Sequence, residues 1–145
     1  MMKMKGSKDV LSSILKTTQM GQVGIRAVTN MPLRADLRQE LQSQLKEYDS
    51  IEREAQAIAT SRGWELEQLN PISKSMAKMT TRTKLAYGNT NSKVAAMMIQ
   101  GNTRGMIKGL KNLHQLKNSD QRVKNMSQRL LDCEKANIQS MQGFV

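Results

Sequence analysis

The sequence predicts an all-α protein: a four-helix bundle made of two antiparallel hairpins, joined by a long crossover that contains a short helix. Three observations lead there. Apolar residues recur three or four apart through most of the 145 residues, the spacing of one face of a helix. No segment alternates apolar and polar residues as a half-buried strand does. The long patterns are linked by two short breaks and one middle connection of ~28 residues, far above the usual length between packed elements.

The first helix is expected after Ser7 as N-cap, with Val10, Leu11, Ile14, Leu15, Thr18, Gln22, Ile25 and Val28 on one stripe. Asn30 to Pro32 break it, and Pro32 suits the opening turn of the next helix because its missing N–H would be unpaired there anyway. Leu33, Leu37, Leu41, Leu45, Tyr48, Ile51, Ala55 and Ile58 carry the second helix to Gly63, a residue able to take the left-handed conformation that closes a helix. Asn70 and Pro71 then suggest the cap and first residue of a shorter helix through Met76, Met79 and Thr83, stopped by Gly88 and Asn89. The third long helix opens near Thr90 to Ser92 and aligns Ala95, Met98, Ile99, Asn102, Met106, Leu110, Leu113 and Leu116. After a turn at Lys117 to Asp120, the fourth runs to about Gln142 and buries Val123, Met126, Leu130, Cys133 or Glu134, Asn137, Ile138 and Met141.

Helices joined by a few residues lie antiparallel, so the first pairs with the second and the third with the fourth. The middle connection, with a ~15-residue helix and extended flanks, can travel the ~35 Å length of a bundle. One crossover between the second and third helices is the ferritin-like topology. The whole chain, 1–145, is expected to form one such domain, with 1–7 a flexible basic N-terminal segment and 63–91 the crossover.

Three stretches carry a likeness to known proteins: Lys16-Thr17-Thr18-Gln19-Met20-Gly21, Ile99-Gln100-Gly101-Asn102-Thr103-Arg104-Gly105, and Leu130-Leu131-Asp132-Cys133-Glu134-Lys135-Ala136-Asn137-Ile138. Together they resemble small bacterial ferritin-like (rubrerythrin-like) proteins that lack the di-iron ligand set. The resemblance implies the fold and no particular activity.

Di-metal members of the ferritin-like class set a Glu on two helices and a Glu-x-x-His pair on each of the other two, all facing inward. Here the fourth helix offers Glu134-x-x-Asn137, the second Tyr48-x-x-Ile51, the first Gln19 and Gln22, and the third Gln100 and Asn102. The single histidine, His114, lies near the end of the third helix. One acid among amides supplies neither the ligands nor the negative charge that two divalent ions need. The expectation is no metal and no cofactor. A polar core of Gln19, Gln22, Tyr48, Asn102, Glu134 and Asn137 would instead be linked by hydrogen bonds and fix register. The contrasting reading puts several of them at helix borders, in contact with water.

Gly101, Gly105 and Gly109 recur every four residues on the third helix. Each costs about 1 kcal/mol of helix propensity relative to Ala, a loss that close approach of a neighbouring helix would offset. The 12 methionines fall mostly at core spacing and do not repeat as a copper ladder would. The one cysteine, Cys133, excludes an internal disulfide. Neither an unbroken membrane-length apolar run nor a signal-peptide pattern is present, so a cytoplasmic location is expected.

The formal net charge is +11. The third helix contributes Lys93, Arg104, Lys108, Lys111 and Lys117 without a single acid, and the crossover adds Lys74, Lys78, Arg82 and Lys84. Arg104, Lys108 and Lys111 form a candidate anion face for non-specific attraction of a polyanion, although aromatic residues for stacking and a duplex-reading motif are lacking. Catalytic triads, phosphate-binding loops and dinucleotide fingerprints are absent, and no catalytic residue is assigned. The expected function is a non-enzymatic bundle with a structural or protein-interaction role, its partner a second copy in a homodimer or another protein. The alternatives are a metal-binding oxidase or storage site centred on Glu134 and a non-specific polyanion-binding module.

Overall fold

The computed structural model describes residues 5–71, 88, 90–116 and 120–145. Among them are four α-helices, α1 (Ser7–Val28), α2 (Ala35–Arg62), α3 (Thr90–Gln115) and α4 (Gln121–Gln142), and no strand. The expected short helix through Met76, Met79 and Thr83, the basic side chains of Lys74, Lys78, Arg82, Lys84 and Lys117, and residues 1–4 lie outside the described residues.

Two helix starts differ from the expectation. Gly6, in extended conformation, is the N-cap of α1, and Ser7 is already helical. Its hydroxyl oxygen accepts from the backbone N–H of Asp120 at the start of α4 instead. Pro32 is not in the opening turn of α2, because the helix begins three residues later, after Arg34. The guanidinium of Arg38 reaches back to the carbonyls of Thr29 and Met31, satisfying groups that the end of α1 leaves without an intrahelical partner. Gly63 closes α2 with φ +67°. Its N–H donates to the Thr60 carbonyl and that of Trp64 to the Ala59 carbonyl, so the last turn is capped without the Cβ clash another residue would suffer there. Asp120 caps α4 by accepting from the N–H of Arg122 at 3.0 Å.

The helices pack most extensively within the pairs α1/α2 and α3/α4, and α4 also touches α1 and α2. The shared core holds Leu11, Ile14 and Leu15 of α1, Leu37, Ile51 and Ile58 of α2, Val94 of α3, and Val123, Met126 and Met141 of α4, all with essentially no exposure. Each such side chain contributes about 1.5–3 kcal/mol through its removal from water. The helix ends are tied across the bundle. The Arg34 N–H donates to Asn91 Oδ1 at 2.8 Å, Arg62 forks onto both carboxylate oxygens of Asp120 at 2.6 and 3.1 Å, and the Lys5 N–H donates to the Gln115 carbonyl at 2.7 Å. Of the N-terminal segment 1–7, Lys5 thus meets the end of α3 and Ser7 the start of α4.

After α2 the chain is extended and lies along α1. The Glu67 N–H donates to Ser12 Oγ and the Leu69 N–H to Gln19 Oε1, and Leu66, just before them, is buried. The buried face of α3 is Val94, Ala95, Met98, Asn102, Gly105, Gly109 and Asn112. It departs from the expected stripe after Asn102, where Met106, Leu110 and Leu113 give way to two glycines and an amide. Steric size is the reason: the helix lies close to its neighbours through the small residues, and Leu110 is left 37% exposed. Among the described residues no helix is long and apolar enough to cross a membrane.

Candidate functional site

Midway along the bundle, four of the six expected polar-core residues meet. Tyr48 projects from α2, Asn102 from α3, and Glu134 and Asn137 from α4, each 6% exposed or less. The Tyr48 Oη lies 2.9 Å from Asn102 Oδ1, 3.0 Å from Glu134 Oε1 and 3.2 Å from Asn137 Nδ2. Asn102 Nδ2 donates to the Met98 carbonyl one turn back at 2.7 Å, and Asn137 Nδ2 also approaches Cys133 Sγ at 3.7 Å. Glu134 and Asn137 lie three apart, so one face of α4 presents both.

Two glycines make room for this layer. A Cβ on Gly21 of α1 would stand 2.7 Å from the Tyr48 ring, and one on Gly105 of α3 would stand 2.9 Å from the Glu134 carboxyl carbon. Each hairpin thus sets a glycine of its first helix against the large polar side chain of its second. Gly109 is looser, with a Cβ there in ordinary contact with Leu131, and Gly101 is exposed with nothing close. The expected row of three close-packing glycines is a feature of Gly105 and Gly109 alone, because Gly101 lies at the border of the buried face of α3, where no neighbouring helix comes near.

Gln19 and Gln22 are buried but belong elsewhere. Gln19 holds the extended segment, accepting from the Leu69 N–H at 2.7 Å and donating to Gln68 Oε1 at 3.3 Å. Gln22 donates to Asp49 Oδ1 at 2.8 Å, at the α1/α2 border. Arg104, Lys108 and Lys111 are exposed on α3, and Lys108 alone of the three also borders a cavity beside α1.

Burial pushes the Glu134 carboxyl up to about 8, against the Tyr48 hydroxyl, which favours the anion when it donates. Tyr48 is raised well above its ordinary value, first by burial and then by Glu134. Burial likewise pushes the Cys133 thiol up to about 12, with Glu134 and Glu47 adding to it, which favours the thiol over the thiolate at neutral pH.

Proton counting agrees with a neutral acid. The phenol has one proton, and Asn102 Oδ1 can only accept. When Glu134 is protonated it donates to the Tyr48 oxygen, Tyr48 donates to Asn102, and Asn137 donates to the Tyr48 oxygen. Every contact then joins a donor to an acceptor. When Glu134 is ionised, its oxygen and that of Asn102 compete for the single phenolic proton. The layer is accordingly a closed network with one protonated carboxyl, two amides and a phenol, a donor set poorly matched to a divalent metal. Among the described residues no three His, Cys, Asp or Glu side chains come together as metal ligands.

Asn112 and Ser13 were missed by sequence reasoning. Asn112 Nδ2 donates to Ser13 Oγ at 3.0 Å, and Asn112 Oδ1 accepts from Lys5 Nζ at 3.3 Å. The signal was present as the 98, 102, 105, 109, 112 spacing, which keeps the helical period through residues that are not apolar. Set against known proteins, the chain matches no family model, no curated protein and no solved structure.

Proposed function

We propose that the chain is a non-enzymatic, ferritin-like four-helix bundle with a metal-free polar centre and a structural or protein-interaction role. The observation that carries the reading is the closed network around Tyr48: the position where a metal box would need several anionic donors holds one carboxyl, and that carboxyl is engaged by the phenol. The crossover topology is supported by the ties between helix ends. The start of α2 lies beside the start of α3, and the end of α2 beside the start of α4. The residues from Glu67 to Leu69, running beside α1 from Ser12 to Gln19, lead away from the end of α2 in the direction such a crossover requires. The partner proposed is a second copy of the chain, and the exposed apolar side chains of Ile107 and Leu110 on α3 support such a contact.

Metal analysis tests the central claim. Untagged protein purified after iron or manganese supplementation is expected to carry only traces of either ion, with no change on Glu134→Ala. Near-stoichiometric metal that disappears in Glu134→Ala would replace this reading with the metal-binding one.

A further inference from the structure

We propose that the cavity between the first half of α1 and the last turns of α3 binds a small oxyanion of the phosphate class carrying two or more negative charges. The site shares no residue with the polar layer and does not depend on the reading given for it.

The cavity, of about 360 Å³, is bordered by Lys5, Lys8 and Lys16 on one side and by Lys108 on the other, with Ser12 and Ser13 in its wall. Lys8, Ser12 and Lys16 are four apart on α1 and therefore stack on one face, while Lys108 enters from the antiparallel α3. The two serines supply the directional part. Both are more than nine-tenths buried, and both oxygens already accept, Ser12 from the Glu67 N–H and Ser13 from Asn112 Nδ2. Their hydroxyl protons have no acceptor among the described residues. A buried O–H without an acceptor costs stability, and an acceptor placed in the cavity removes the cost.

The charges agree. Lys16 is paired with Glu67 at 2.6 Å and Lys5 contacts Asn112; Lys8 acts on Glu67 through its charge without a close contact, and Lys108 makes no hydrogen bond or ion pair among the described residues. The Lys108 ammonium is depressed below its ordinary range by lost hydration and then by the like charges of Lys5 and Lys16. Asp9, Glu65 and Glu67 also border the cavity, exposed as Lys8 and Lys108 are, and they disfavour an anion beside them. The favoured position is against the buried serine hydroxyls, with Lys108 as its cation. An acceptor-only ligand with compact charge fits that arrangement. A duplex, whose phosphates lie on a convex surface, does not reach buried hydroxyls in a concavity of this size.

Calorimetric titration of the full chain with inorganic pyrophosphate at low salt tests the site. One saturable site is expected, weakened about tenfold by Lys108→Met, which keeps the aliphatic stem and removes one charge-assisted contact. Ser12→Ala is expected to weaken it several-fold, and Lys111→Met, on the same helix but not bordering the cavity, to leave it within about twofold. Backbone amide shifts of Ser12 and Ser13 in the unaltered protein should move on titration, a readout independent of any variant. Absence of saturable binding would overturn the proposal. So would equal losses from Lys108→Met and Lys111→Met, or tighter binding of a duplex oligonucleotide with the same dependence on Lys111, because each describes a diffuse basic surface rather than this cavity.

Discussion

At the scale of single residues, Glu134 controls how the bundle responds to pH. The ordinary glutamate value of 4.5, which holds in the unfolded chain, rises to about 8 in the folded one. Between these values the folded state holds a proton that the unfolded state has lost, so stability falls as pH rises through the window and levels off above it. The loss amounts to a few kcal/mol, since each tenfold gain in proton affinity on folding corresponds to about 1.4 kcal/mol. Urea midpoints at roughly pH 5 and roughly pH 9 are expected to drop for the unaltered protein and to differ much less for Glu134→Gln, which is neutral throughout. An unchanged drop in Glu134→Gln would place the titrating group elsewhere. The participants in this network were readable as residue types before the fold was known, because acids and amides at helical spacing stand out among aliphatics. Which of them would meet was not. Gln19 and Gln22 share a stripe with true interior positions, yet a rotation of one residue about the helix axis carries a side chain from the centre of a bundle to its border.

Among the helices, glycine is the residue that shows how each element is used. Replacing a helical glycine with alanine raises propensity by about 1 kcal/mol, so the sign of the outcome depends on what the new methyl meets. At Gly101 and Gly24 it meets nothing within 4 Å, and Gly101→Ala and Gly24→Ala are each expected to stabilise the protein by about 0.5–1 kcal/mol. At Gly21 and Gly105 it would collide with the Tyr48 ring and the Glu134 carboxyl. Those two substitutions are expected to destabilise by about 1–3 kcal/mol through overpacking. Thermal melts of the four variants separate the pairs; stabilisation by Gly105→Ala would mean that Glu134 can withdraw from the layer. The number of long helices and the Gly63 stop were plain in the residue order because periodicity and left-handed capping are local, whereas the starts of α1 and α2 were off by one to three residues. The buried side of α3 was not, since scanning for large apolar residues selects Leu110 and Met106, whereas close helix approach selects the glycines beside them.

For the molecule as a whole, the four helices could be inferred from spacing, while the cavity beside Ser12 could not, because it joins residues about a hundred positions apart. The dominant electrostatic fact at this scale is the net charge of +11. Two opposing effects set the response to neutral salt. Ion pairs that tie α2 to α4, those of Arg129 with Glu47 and Glu54 and of Arg62 with Asp120, weaken as salt rises, but partly exposed pairs are worth only about 0–1 kcal/mol each. Repulsion among the excess lysines and arginines is relieved by the same salt, whose screening length is ~10 Å at 0.1 M, shorter than the bundle. With unpaired cations outnumbering these pairs, relief prevails. Urea midpoints are therefore expected to rise with sodium chloride, and to rise further with phosphate at matched ionic strength, because an anion held by Lys108 and the buried serines binds only the folded chain. A midpoint that falls with chloride would show that the α2/α4 ion pairs outweigh the repulsion. Equal effects of chloride and phosphate would reduce the contribution of the cavity to general screening.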